Sequence, residues 1–258
     1  MDLGLDGKRV LVSGGSRGIG LATARLFAEE GCRLVLVARD QEGLEAARAE
    51  LPATTDVVLV AADLADPKLA RRLADDHPDV DVLVNNAGAI PGGNLLAVDD
   101  ATWRRAWDLK VLGYVNMSRA FYPRMQARAC GVIVNVIGNA AETLDPDYIC
   151  GVTGNAALVA FTKSLGSTSE GDGIRVLGIN PGPVATGRLV KRMQARAAER
   201  LGSAERWQEL LAPLPFGRAA TPDEIAALIA FLASRHSAYT SGTVVTVDGG
   251  ASGRSATF

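Results

Sequence analysis

The chain has 258 residues, of which 48% are hydrophobic and 22% charged, with a formal net charge of −2. That length and apolar share suit one large α/β domain with a sizeable core and exclude a disordered chain. The near-neutral balance speaks against a nucleic-acid or anionic-membrane partner. No apolar run reaches the ~20 residues of a membrane span, and the start MDLGLDGKRVLVSGG does not read as a secretory signal.

Taken in chain order, KRVLVSG is a predicted strand, followed by a helix from about Gly18 to Glu30. CRLVLVA is a second strand and QEGLEAARAEL the next helix. DVVLVAA, DVLVNNAG, GVIVNVIG, GIRVLGIN and GTVVTVDGG supply five further strands, with helical stretches at 100–128 and 152–168 between them. Apolar β-branched strands that alternate with helices predict a parallel sheet covered on both faces. The fold class is therefore a single-domain, Rossmann-type, doubly wound sheet of about seven strands. A charged helical stretch, 187–214, follows the sixth strand. It is either a solvated surface excursion or a substrate lid. Thr221-Pro222-Asp223-Glu224 then reads as a helix start, with Thr as cap and Glu at the third helical position. Cys32, Cys130 and Cys150 are odd in number and widely spaced, which suits reduced core thiols in a cytoplasmic protein better than a disulfide framework or a zinc site. His77 and His236 fall outside every motif and suit surface or helix-end positions.

VSGGSRGIGLATA is a strand, a glycine turn and a helix, with Gly14, Gly18 and Gly20 in the turn. Glycine permits the tight turn and lets backbone N–H groups approach a pyrophosphate at the helix N-terminus. NNAG at 85–88, NPGPVAT at 180–186 and DGG at 248–250 each follow a strand. Together these motifs resemble the short-chain dehydrogenase/reductase family over nearly the whole chain. The resemblance implies NAD(P)(H) across the carboxyl ends of the strands. It implies Ser16, Arg17 and Ile19 near the phosphates and ribose, and Asp63 and Leu64 at the adenine. Asn86, Ala87 and Gly88 would lie along the adenosine ribose, and Pro181, Gly182, Val184 and Thr186 at the nicotinamide. It also implies a homodimer or homotetramer packed through the helices at 100–128 and 152–168.

An acid at the end of the second strand would bond the ribose 2′-OH of NAD. Here that position is Ala38, followed by Arg39, with Arg17 in the glycine loop. Two guanidiniums without that acid suit a 2′-phosphate, so NADP(H) is the expected cofactor and NAD(H) a possible one. A one-residue shift would bring Asp40 into the acid's place.

The family's chemistry uses Asn, Ser, Tyr and Lys. Aligned on NAALVAFTKSLG, the lysine position is Asn155 and the tyrosine position Gly151. The serine position, thirteen residues before, is Gly138, and the asparagine position is Lys110. All four depart from the pattern. Lysine and asparagine look exchanged between 110 and 155, and Tyr148 precedes Gly151 by three residues. If the helix reaches back that far, Tyr148 lies one turn away on the same face, with room for its ring over Gly151. The candidate apparatus is Tyr148 as surrogate acid/base, Lys110 as the charge that lowers its pKa, and Asn155. The other reading makes Tyr148 a wall of the pocket and Lys110 a partner for a local carboxylate. Glu142, Asp145 or Asp147 could be an acid or base raised by burial, although Asp145-Pro146-Asp147 also reads as a turn and helix cap. Asn135 and Asn139 could donate to an oxyanion in place of the serine, or bond at the strand end.

Three functions are compatible with these residues: an NADP(H)-dependent oxidoreductase acting on a small-molecule carbonyl or alcohol, a dehydratase or isomerase on the same scaffold, and a non-catalytic NADP(H)-binding protein.

Overall fold

In the computed structural model, which describes residues 1–254, seven strands form one sheet. They are β1 (Arg9–Ser13), β2 (Arg33–Ala38), β3 (Val57–Ala61), β4 (Val82–Asn85), β5 (Gly131–Val136), β6 (Ile174–Pro181) and β7 (Thr243–Val247). All neighbours are parallel, in the order β3-β2-β1-β4-β5-β6-β7. Parallel strands bury both faces, and two large apolar clusters do so here. Val10, Val12, Phe27, Leu34, Leu36 and Ile229 belong to one. Leu11, Val35, Val37, Leu83, Phe121 and Ile133 belong to the other. The alternation along β1 and β2 between the two clusters is the period-two geometry of a strand.

The helices are α1 (Gly18–Glu29), α2 (Gln41–Ala49), α3 (Leu69–Asp76), α4 (Asp100–Trp107), α5 (Gly113–Gln126), α6 (Ile149–Gly166), α7 (Gly187–Leu201) and α8 (Pro222–Ala233). After β3 the chain crosses back to lay β4 beside β1. A crevice opens at such a switch point, outside the carboxyl ends of the strands. The registers Leu11↔Leu83, Leu83↔Ile133 and Ile133↔Val176 bring the ends of β1, β4, β5 and β6 to that edge.

The helix expected at 100–128 is interrupted. A π turn over Asp108–Leu112 separates α4 from α5 and holds Lys110. Such bulges insert one residue and re-aim side chains, often at functional sites. Gly113 follows, where a Cβ would lie 3.4 Å from the carbonyl oxygens of Asp108 and Leu64. The helix expected at 152–168 begins earlier, at Ile149, and ends at Gly166. The stretch 187–214 forms α7 and a 3-10 segment, Ala204–Leu211, with a small core of its own built on Leu189, Met193, Leu211 and Ala219. α8 has the full reciprocal cap: Thr221 Oγ1 accepts from Glu224 N at 3.2 Å, and Glu224 Oε2 accepts from Thr221 N at 2.8 Å. Cys32 and Cys150 are core thiols as expected, but Cys130 is exposed, at the turn into β5. Among the described residues no helix is long and apolar enough to cross a membrane.

Candidate active site

The glycine turn is shaped by close approach. Gly14 and Gly18 have φ of +69° and +57°, which disfavour any other residue. A Cβ at Gly20 would lie 2.1 Å from Gly14 O, so α1 could not start so close to the turn. Asn86 clamps the turn from β4: its Nδ2 donates to Ser13 O at 3.0 Å and to Gly14 O at 3.2 Å. The N–H groups of Asn86 and Ala87 donate to Ser13 Oγ. Arg17, exposed, is the extended residue just before α1. Ser16 is half-buried, and Ile19 packs on the core behind it.

β2 ends at Ala38, which is buried, and Arg39 is exposed beyond it. Asp40, which a one-residue shift would bring into the acid's place, is engaged in the start of the next helix. It is the N-cap of α2, and its Oδ2 accepts from Gly43 N at 3.2 Å. Among the described residues, neither Arg17 nor Arg39 is in an ion pair. Asp63 is exposed and turns onto Ala65 N at 3.0 Å, whereas the Leu64 side chain points into the core. Across the crevice, Pro181 ends β6 and Gly182 N donates to Val247 O. Val184 is buried and bridged to Ala220, and Thr186 caps α7, its methyl 3.0 Å from where a Gly18 Cβ would be.

The rebuilt part of the site is centred on Tyr148. It is not helical: with φ −135° and ψ 33° it is the residue before α6. Its ring nevertheless lies over Gly151, where a Cβ would come within 2.1 Å of Tyr148 Cε1 and Cζ. Gly93 N donates to Asp147 O, and Gly93 is bridged to Tyr148, which ties this corner to the loop after β4. Burial raises the Tyr148 pKa above that of an ordinary phenol, and the positive charges of Arg188 and Arg192 oppose that rise.

Lys110 does not play the expected part. Its Nζ donates to Ile137 O, its stem packs against Gly88, and burial followed by the charge of Arg188 lowers its pKa to about 8. The cations acting on Tyr148 are instead on α7, and the net shift of the phenol is upward rather than downward. Arg188 was not singled out in the sequence. It donates to Gly88 O at 3.0 Å and so spans the crevice from α7 to the end of β4. Its only sequence signal is its place two residues after Thr186.

Asn155 is 2% exposed, and its Oδ1 has no hydrogen-bond partner among the described residues. A Cβ at Gly138 would lie 3.0 Å from Asn155 Nδ2. Gly138 has φ +139°, a backbone that a serine there would not favour. The asparagine amide thus faces the place of the absent serine.

The other candidates are engaged elsewhere. Asn135 Oδ1 accepts from Asn85 Nδ2 and its Nδ2 donates to Thr162 Oγ1, both at 2.9 Å, so it is no oxyanion donor. Asn139 Nδ2 turns toward Asp248. Glu142 accepts from Thr246, Asn180 and Ser252, and these bonds lower its pKa, the reverse of a carboxyl raised for acid work. Asp145 Oδ1 accepts from Asp147 N at 2.9 Å, the turn reading. Trp103, Trp107, Ile90, Val98 and Cys150 form an apolar cluster at the start of α6.

A family model described as enoyl-(acyl carrier protein) reductase matches residues 14–252. The galactitol 2-dehydrogenase (L-tagatose-forming) of Cereibacter sphaeroides is 36% identical over 252 residues, covering 95% of each chain. The L-sorbose reductase of Gluconobacter frateurii, solved with NADPH and L-sorbose, is 33% identical with a TM-score of 0.90, covering 96% of this chain and 98% of that one. A short chain oxidoreductase of Pseudomonas aeruginosa PAO1, described as containing an atypical catalytic center, is 32% identical with a TM-score of 0.88 over the same shares.

Proposed function

Because the chain belongs to the short-chain dehydrogenase/reductase family, we propose that it is an NADP(H)-dependent oxidoreductase of a carbonyl or alcohol substrate, with Tyr148 holding the proton. The observation that carries this reading is the Tyr148 ring in the space that a side chain at Gly151 would need.

The residues present fit the nucleotide. The glycine turn is cut to backbone-close approach, Arg17 and Arg39 are unpaired among the described residues, and the buried Asn155 Oδ1 lacks a donor. Gly14, Ser16, Arg17, Gly18, Ile19 and Gly20 would hold the phosphates, with Arg39 on the 2′-phosphate. Asp63, Leu64, Asn86, Ala87 and Gly88 would flank the adenosine, and Pro181, Gly182, Val184 and Thr186 the nicotinamide. NADP(H) supplies the hydride when bound.

In the reducing direction Tyr148 acts as the acid. A phenol with a raised pKa is protonated throughout the neutral range, so Oη has a proton to give to the carbonyl oxygen. Arg188 and Arg192 then stabilise the phenolate left behind, and solvent at the mouth, where both arginines are exposed, returns the proton. Asn155 Nδ2, beside Gly138, is the donor that replaces the serine hydroxyl. Lys110 is a positioning residue: its bond to Ile137 O and its stem against Gly88 fix the ends of β5 and β4. The stretch 187–214 serves as the lid, anchored across the crevice by Arg188. The protein works in the cytoplasm as a homodimer or homotetramer; the apolar groove lined by Val115, Tyr122, Phe161 and Leu165 on α5 and α6 supports such packing.

Glu142, the carboxyl that a dehydratase or isomerase could have used as its acid, has its pKa lowered instead. Calorimetric titration of nucleotide-free protein with NADPH and then NADH, followed by NADPH consumption against a carbonyl and enone panel, tests the reading. Tighter NADPH binding and substrate-dependent NADPH loss are expected. Product without nucleotide turnover would point to the non-redox alternative, and nucleotide binding without any turnover to a non-catalytic protein.

A further inference from the structure

The loop between β5 and α6 carries Tyr148 at its end, and residues 143–147 of it are exposed. Its backbone is bonded to itself over short steps: Thr143 N to Asn139 O, Asp145 N to Thr143 O, and Tyr148 N to Asp145 O. Bonds of this kind shape a turn but do not fix where it stands on the body of the fold. Attachment to other elements does. At the far end Asp147 O accepts from Gly93 N. At the near end the attachment is Glu142, beside a longer contact of 3.5 Å from Asn139 Nδ2 to Asp248.

Glu142 Oε1 accepts from Asn180 Nδ2 at 2.9 Å and from Thr246 Oγ1, and its Oε2 accepts from Ser252 Oγ at 3.2 Å. The three donors stand on β6, on β7 and in the turn after β7. Asn180 and Thr246 are opposite each other in the sheet, so one side chain from the loop closes over the ends of both strands. All three donors are neutral, and Glu142 is in no ion pair among the described residues. Asn180 is 1% exposed and its Oδ1 has no partner among the described residues. Its buried amide is therefore oriented through Nδ2, on Glu142. Asn180 in turn directly precedes Pro181 and Gly182, the start of the segment assigned above to the nicotinamide.

We propose that Glu142 is a positioning residue, a latch that holds the loop carrying Tyr148 against the strand ends that lead into the nicotinamide segment. This rests on the oxidoreductase reading above. Reduction needs a hydride at the carbonyl carbon and a proton from Tyr148 at the carbonyl oxygen of the same substrate. Glu142 has the proton's loop on one side and the hydride's on the other, and a misplacement of an ångström between such groups costs about 10²-fold in rate. The side chain itself touches neither substrate nor nucleotide in this role.

The test compares Glu142→Ala, Glu142→Gln and Thr246→Val, the last removing one bond from the strand's side. Turnover is read by NADPH loss against the carbonyl panel, nucleotide affinity by calorimetry, and the loop by amide hydrogen exchange over residues 143–149. In Glu142→Ala kcat should fall by about ten- to hundredfold, the Kd for NADPH should hold, and exchange in that segment should quicken. Thr246→Val should move the same way by less. Glutamine keeps Oε1 for Asn180 and Thr246 and can donate to Ser252 Oγ, so Glu142→Gln should stay near wild type in all three readouts. In the Tyr148→Phe background, Glu142→Ala should cost nothing further. Glutamine as poor as alanine, a loss that falls on NADPH binding, or losses that add to those of Tyr148→Phe would each overturn the inference, as would unaltered exchange in Glu142→Ala. Exchange that quickens as expected in a protein whose wild type consumes no NADPH with any carbonyl would keep Glu142 as the anchor of this loop and refute the oxidoreductase reading.

Discussion

The aromatic ring of Tyr148 occupies the volume into which any side chain at Gly151 would project, with Cε1 and Cζ 2.1 Å from an ideal Cβ there. Two departures from the family pattern are thereby one structural event. The glycine is what admits the tyrosine, and the tyrosine brings its phenol from before the helix to the place where the family's own phenol would begin.

Gly151→Ala should therefore expel the ring. Alanine is the better helix former, by about 1 kcal/mol, so α6 itself is not weakened and the damage is confined to Tyr148. Turnover should fall by about the same factor as in Tyr148→Phe, and the double variant should be no worse than either single one. Additive losses in that cycle would separate the two residues.

Lys110 sets a pH dependence. Its ammonium is lowered to about 8 by burial and by Arg188, so the folded protein releases this proton before the unfolded chain does. Between about pH 8 and the ordinary lysine value the unfolded chain binds more protons, and stability rises with pH there. Denaturant unfolding across that window should show wild type gaining stability relative to Lys110→Met. If the lysine bond to Ile137 O positions β5, reduction should also decline as pH passes about 8, a limb that Lys110→Met lacks.

The proposed preference for NADP(H) rests on Arg17 and Arg39. Arg17→Ser/Arg39→Ser should weaken NADPH binding by about ten- to hundredfold, in line with the loss of charge-assisted bonds to a phosphate, and leave NADH nearly unchanged. Asp40, held as the cap of α2, should not matter: Asp40→Asn keeps a capping oxygen and should keep the preference.

The reciprocal cap of α8 offers a check on the fold. Thr221→Ala removes the acceptor for Glu224 N and should cost about 1 kcal/mol, read as a lower denaturant midpoint with nucleotide affinity intact.

Much of this was legible in the sequence, for reasons that differ by residue. The seven strands are short apolar, β-branched runs that alternate with helices, as a parallel sheet covered on both faces requires; Gly14 and Gly18 hold positive φ, and at Gly20 the carbonyl of Gly14 forbids a Cβ. The replacement of the family residues at 110, 138, 151 and 155 needed only alignment. The place of Arg188 was not legible. Arg188 and Lys110 are far apart in sequence and meet at Gly88 only because α7 folds back across the crevice. Asn135 and Glu142 looked available as strand-end and loop polar groups. Their bonds to Asn85, Thr162, Asn180 and Thr246 cross between elements and leave no local signature. The π turn at Lys110 was hidden because its apolar spacing passes for ordinary helix.

The most direct measurement is turnover of Tyr148→Phe under saturating NADPH, beside its NADPH affinity. The phenyl ring fills the same space without the hydroxyl. If Tyr148 Oη gives the proton, kcat should fall by ~10²–10⁴-fold while the Kd for NADPH stays put. Unchanged turnover would contradict the account and return Tyr148 to the wall of the pocket.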